Sequence, residues 1–239
     1  MNASTQRTRC AGPAGEIECA VDVPSLVPMT ASRGVAVLCH PHPQFGGTLD
    51  NKVVQTLARA FVQLGYTSVR FNFRGIGASQ GAWDGGRGEI DDALAVIAAH
   101  RAPGQALVMG GFSFGGYVAS QAAARLTESA ERVVLVGPAV QNFNVAAVPA
   151  DTLVIHGESD DVVPLQAVFD WARPQALPVT VLPGAGHFFH GQLPVLKQIV
   201  VAAWGSRGDT GTQAYEIPDR ARFRLCRRHI GLCPDTIAA

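Results

Sequence analysis

The chain has 239 residues, 47% of them hydrophobic, enough to bury the core of a single α/β domain. Its 19 basic and 19 acidic residues balance, which argues against a nucleic-acid partner or an anionic membrane surface. No stretch has the apolar length of a membrane span, and the first twenty residues lack the apolar core of a signal peptide, so a cytoplasmic location is expected.

Apolar runs alternate with helical patterns along the chain. Residues 16–23 read as an entry strand, with further pairing up to residue 31, and residues 35–39 as a buried strand. Asp50 or Asn51 can cap a helix whose apolar face carries Val53, Val54, Leu57, Phe61 and Leu64, and Gly65 stops it. A strand over 67–73 precedes a helix over 88–100, where Ile90, Leu94 and Ile97 recur at helical spacing. The run 106–109 leads through a glycine-rich turn into a helix over 117–124. Strands over 132–136, 152–155 and 179–182 follow, with one helix starting near Pro164 and another from about 191 to 204. This order predicts a mostly parallel central sheet with helices on both faces. A single domain over 1–205 is expected, followed by a flexible tail over 206–239 with arginines at 220, 222, 224, 227 and 228. The sharper reading of that tail is an arm for a partner or membrane.

About fifteen residues separate the strands ending near 136 and beginning near 152, and one helix alone takes about eleven. No multi-helix lid fits there, so an open, shallow site is predicted. Cysteines at 10, 19, 39, 226 and 233 are odd in number and irregularly spaced, and read as reduced thiols.

The segment Gly111-Phe112-Ser113-Phe114-Gly115 places a serine between a buried strand and a small-residue helix. G-x-S-x-G on such a turn is the pattern of a nucleophile elbow, where glycines allow the sharp turn and lift the hydroxyl above the sheet. A serine hydroxyl is a weak nucleophile at neutral pH. It needs a base, and the base needs an orienting acid. The run 152–155 ends in His156-Gly157-Glu158-Ser159-Asp160-Asp161, and the run 179–182 in Pro183-Gly184-Ala185-Gly186-His187. Acid and histidine thus follow strand-like runs in chain order behind the serine. Asp160, Asp161 and Glu158 all compete for the acid on position alone.

Five stretches, CHPHPQFGGTLDNKVV (39–54), VRFNFRGIGASQG (69–81), GFSFGGYVA (111–119), HGESDDVVP (156–164) and GAGHFFHG (184–191), resemble an α/β-hydrolase. More narrowly, the chain is similar to small, lidless bacterial serine hydrolases with a His-Pro-His-Pro-type loop, over about residues 34–205. The resemblance implies Ser113 as nucleophile, Asp160 as acid and His187 as base. It also implies an oxyanion hole from the backbone N–H of Phe114 and one from the loop after His40. Pro41 and Pro43 have no N–H to donate, which leaves His42 as the second donor, with Gln44 the fallback.

The expected activity is cofactor- and metal-independent hydrolysis of a small-molecule carboxylic ester or thioester. A serine peptidase or acyltransferase with the same three residues, or a non-catalytic hydrolase-fold binding module, are the alternatives.

Other features have plainer readings. Gly75-Ile76-Gly77-Ala78-Ser79-Gln80 lacks the third glycine of a dinucleotide fingerprint. Arg70 and Arg74 can bind an anionic substrate, but ion-paired scaffold roles are favoured. His40, His42, His187 and His190 have no acidic ligand at motif spacing, which argues against a metal site. Phe112, Phe114, Phe143, Phe188 and Phe189 can form an apolar wall, with core packing the better reading of Phe112 and Phe189.

Overall fold

The computed structural model describes residues 5–24 and 32–205. The expected pairing up to residue 31 falls mostly outside these residues, and the 206–239 tail wholly so. Eight strands form one sheet in the order β1-β2-β4-β3-β5-β6-β7-β8. The first two, β1 (Gln6–Gly12) and β2 (Gly15–Asp22), make an antiparallel hairpin, and β2 pairs antiparallel with β4 (Tyr66–Phe71). From β4 onward every pairing is parallel, through β3 (Gly34–Cys39), β5 (Leu107–Phe112), β6 (Arg132–Val136), β7 (Leu153–Gly157) and β8 (Val179–Leu182). Every residue of β3, β5 and β7 is buried. Strands covered on both faces need apolar side chains throughout, which is why GVAVLC, LVMGGF and LVIHG show no alternation.

Helices cover both faces. The first, α1 (Lys52–Gln63), begins where Asn51 Oδ1 accepts the N–H groups of Val53 and Val54 at 2.9 and 3.4 Å. Its Val53, Val54, Leu57 and Phe61 pack with Leu196, Val200 and Trp204 of α5 (Leu193–Gly205) against one sheet face. On the other face, Ile90, Ala93 and Val96 of α2 (Arg87–His100) meet Val118, Ala119 and Ala122 of α3 (Phe114–Arg125). The short helix α4 (Leu165–Ala172) follows β7.

Three boundaries differ from the sequence reading. β5 runs on through Gly110 and Gly111 to Phe112, and α3 begins at Phe114, so a single residue separates strand from helix. β4 stops at Phe71, and the Phe73 N–H is instead donated to the His40 ring at 3.1 Å. β1 was not foreseen, because it pairs at the sheet edge and most of its residues face solvent.

Arg70 and Arg74 take the scaffold roles. Arg70 is buried against Asp22 at 3.0 Å and donates to the Leu49 carbonyl at 2.7 Å. Arg74 is paired with Asp92 at 2.7 Å. Residues 137–152, between β6 and β7, contain no helix. Among the described residues no helix is long and apolar enough to cross a membrane.

Candidate active site

Ser113 is the one residue between β5 and α3. Its φ of 56° and ψ of −119° lie outside the regions favoured by L-residues, a strain of about 1–3 kcal/mol that the surroundings must hold. They do so through backbone bonds. The Ser113 N–H is donated to Val136 O at 2.9 Å, and its carbonyl accepts from Gly116 and Ala139.

The histidine loop after β8 returns across two strands to reach it. His187 Nε2 lies 3.0 Å from Ser113 Oγ, and His187 Nδ1 lies 2.7 Å from Asp160 Oδ2. All three side chains are largely buried. Gly137, just past β6, has a φ of 50° in the left-handed range that favours glycine, and a Cβ there would touch His187 Cε1 at 3.4 Å, an ordinary contact. Glu158 accepts the Gly184 N–H at 2.8 Å and ties the acid loop to the histidine loop.

Asp160 Oδ1 accepts the N–H groups of Val162 and Val163 at 3.0 and 2.7 Å. Burial alone would raise the pKa of this carboxyl. The hydrogen bond from His187, the Val163 N–H and the nearby imidazoles outweigh burial and hold it below the ordinary value. His156 lies beneath, its Nε2 3.5 Å from Asp160 Oδ2 and 2.9 Å from Val163 O. Asp161 is exposed. The structure therefore brings together Ser113, His187 and Asp160, and leaves Asp161 outside the group.

The His40-Pro41-His42-Pro43 loop runs alongside. The buried His40 ring accepts the Phe73 N–H on Nε2, so its Nδ1–H donates to the Pro41 carbonyl at 2.7 Å. Peptide planarity then turns the His42 N–H to the opposite side of that bond, since no peptide here is cis. His42 heads a 3-10 turn, Pro43–Phe45, and the Gln44 N–H is donated to His42 Nδ1 at 3.2 Å. Gln44 is exposed with its N–H engaged, which weakens it as the fallback donor. The His42 ring packs among Phe45, Trp83 and Phe114, with centroids 4.8, 4.7 and 5.1 Å away.

A cavity of about 400 Å³ opens over Ser113 and His187, walled by Pro41, His42, Phe45, Asn51, Val162 and Phe188. Phe188 is exposed and lines it as anticipated. Phe112 and Phe189 are core. Phe114 corrects the wall assignment, because its ring is fully buried against Phe73 and Phe143. Phe45 and Val162 were missed, although Phe45 is 87% exposed. A phenylalanine in a Gly/Pro-rich loop carries no periodic signal.

Comparison with known proteins bears on the family and the fold. A family model described as serine aminopeptidase, S33 (Hydrolase_4) matches residues 31–148, which include Ser113 but stop short of Asp160 and His187. An uncharacterized protein of Rickettsia prowazekii is 32% identical over 171 residues, 65% of this chain and 71% of that one. A Xanthomonas campestris crystal structure, titled a member of a/b serine hydrolase without lid, is 37% identical. It superposes with a TM-score of 0.76 over 86% of this chain and 96% of that chain. The chain belongs to the α/β-hydrolase superfamily. An α/β serine hydrolase homologue from Coxiella burnetii agrees, at 36% identity and a TM-score of 0.73 over 82% and 96% of the two chains.

The loop chemistry of this α/β-hydrolase gives its stability a predictable pH dependence. Burial lowers the His40 pKa from 6.5 to about 4. As pH falls below 6.5 the unfolded chain takes up this proton before the folded one. The stabilisation is thus complete above pH 6.5, declines on acidification and is lost by about pH 4, amounting to roughly 3 kcal/mol. Burial lowers the His156 pKa as well, in the same direction. The depressed Asp160 carboxyl adds a further loss only below its own unfolded value. Urea midpoints measured at pH 7 and pH 4.5 should fall steeply for the wild type and less for His40→Gln.

Proposed function

We propose that this hydrolase cleaves small carboxylic esters or thioesters through an acyl-enzyme on Ser113, with His187 as base and Asp160 as its orienting acid. The observation that carries the reading is the continuous chain from Ser113 Oγ through His187 to Asp160, at 3.0 and 2.7 Å. With its Nδ1–H donated to Asp160, the imidazole presents an unprotonated Nε2 to the serine hydroxyl. Ser113 Oγ attacks the acyl carbonyl as its proton passes to Nε2, and the carboxylate stabilises the imidazolium. The imidazolium then protonates the leaving oxygen or sulfur. Water, activated by the same nitrogen, releases the acid and restores Ser113.

Charge on the tetrahedral oxygen would be met by the Phe114 N–H, at the first residue of α3, and by the His42 N–H. Each such fixed donor is worth about 3 kcal/mol. The start of α3 adds its helix dipole in the same direction.

Intact-mass labelling with a serine-directed fluorophosphonate tests the reading. Wild type is expected to gain one adduct, and Ser113→Ala none. A folded wild type that stays unlabelled would overturn it. The family model's description favours a second reading, an aminopeptidase with the same three residues. Release of 4-nitroaniline from an alanine anilide, against hydrolysis of a matched ester, separates the two.

A further inference from the structure

The polar atoms in the wall of the Ser113 cavity are unevenly committed. Asn51 and His42 both line it. The Asn51 Oδ1 is consumed by the amides that begin α1, which leaves its Nδ2 with no acceptor among the described residues. The His42 Nδ1 is consumed by the Gln44 N–H, so the neutral ring carries its proton on Nε2, also without an acceptor among the described residues. Burial lowers the pKa of this ring and favours that neutral form. Apart from Ser113 and His187, the side chains of this wall therefore offer hydrogen-bond donors and no free acceptor. No carboxylate lines the cavity, and Asp160 is committed to His187 and two backbone amides. Around these donors stand Phe45, Val162 and Phe188, three of the four large exposed hydrophobic side chains among the described residues.

We infer that the cavity selects an ester that carries a second oxygen acceptor near the scissile bond, read by Asn51 and His42, and that it excludes substrates bearing an ammonium group. The inference rests on the serine-hydrolase reading above. An ammonium placed here would lose water and meet no carboxylate and, besides Ser113 and His187, no free side-chain acceptor. An oxygen would find an uncommitted N–H on Asn51 or on His42. An aminopeptidase must hold a free α-amine beside the scissile bond, and this wall has no carboxylate for it. At about 400 Å³ the cavity equals roughly a dozen waters at ~30 Å³ each, room for a short acyl chain with a small alcohol.

The test compares kcat/KM at pH 7 for ethyl butanoate, its isostere ethyl 3-aminopropanoate, ethyl acetoacetate and 2-methoxyethyl butanoate. Ethyl butanoate should exceed the amino ester by about 100-fold or more. At least one of the two oxygen-bearing esters should exceed ethyl butanoate by about fivefold. Asn51→Asp retains the capping oxygen for α1 but puts an acceptor oxygen where the amide would donate. It should narrow that oxygen preference while the melting temperature stays within about 3 °C. An amino ester turned over as well as ethyl butanoate, or no gain from oxygen on either side, overturns the inference. Those outcomes leave the hydrolase reading intact as long as fluorophosphonate still labels Ser113. Loss of labelling removes both.

Discussion

Asp160→Asn is expected to lower kcat by about 10⁴ with little change in KM, the loss seen when a serine-protease triad receives the same substitution. The reason is a choice between two bad orientations. If the new amide keeps its oxygen on the Val162 and Val163 N–H groups, its Nδ2–H faces His187 Nδ1 at the 2.7 Å position. The imidazole must then accept at Nδ1 and carry its proton on Nε2, where it can no longer take one from Ser113. If the amide flips, Nδ2 meets two backbone donors with no acceptor between them, and two buried N–H groups are orphaned. Asp161→Asn is expected to stay near wild type, because Asp161 is exposed. Steady-state kinetics on the two variants decide the matter. A full-rate Asp160→Asn beside a dead Asp161→Asn would move the acid by one residue.

Gly115→Ala is expected to lower the melting temperature by more than about 10 °C or to prevent folding. A Cβ on Gly115 would lie 2.2 Å from the Cys39 carbonyl oxygen and 2.5 Å from that of His40. Both obstacles are backbone, at the end of β3, which is hydrogen-bonded to β4 on one side and β5 on the other. Overpacking against movable side chains costs about 1–3 kcal/mol. Here neither the strand nor the first turn of α3 has anywhere to go, and each kcal/mol is worth about 2–4 °C in a chain of this size. Gly186→Ala is the control. Its Cβ would have only Ser159 O nearby, at 3.8 Å, and its φ is not in the left-handed range. Thermal melts of both variants should separate widely. Equal melting temperatures would show that the first turn of α3 can shift.

These two sites also show what was legible beforehand. The elbow and the acid loop could be read because each follows a fully buried strand that shows as an apolar run. The histidine loop could be read because the half-buried VTVL strand before it is rich in β-branched residues. Asn51 was readable as a cap because a cap is local. Its second position, in the cavity wall, was not. The ring packing around His42 draws on Phe45, Trp83, Phe114 and Phe143 from four separate segments, and no spacing in one chain encodes that meeting. Phe114 was read as a wall residue for the same reason. Adjacency to Ser113 in sequence placed it near the cavity, whereas the first turn of α3 swings its ring into the core. β1 lacked an apolar alternation to read, since residues such as Gln6 and Arg9 lie exposed at the sheet edge.

The proposed reacting groups stand past the carboxyl ends of parallel strands, and strand spacing fixes how far apart they begin. Ser113 follows β5, Asp160 follows β7 and His187 follows β8, while the Val136 carbonyl at the end of β6 accepts the Ser113 N–H. The cavity wall comes from elsewhere, chiefly from the loop between β3 and α1, which carries His42, Phe45 and Asn51. Apart from the His42 N–H, the proposed reacting groups and the cavity wall are therefore carried by different parts of the chain. Side-chain drift in residues 42–51 can reshape this wall while the sheet keeps serine, imidazole and carboxylate in register, so the scaffold can change what the cavity accepts without moving those three groups.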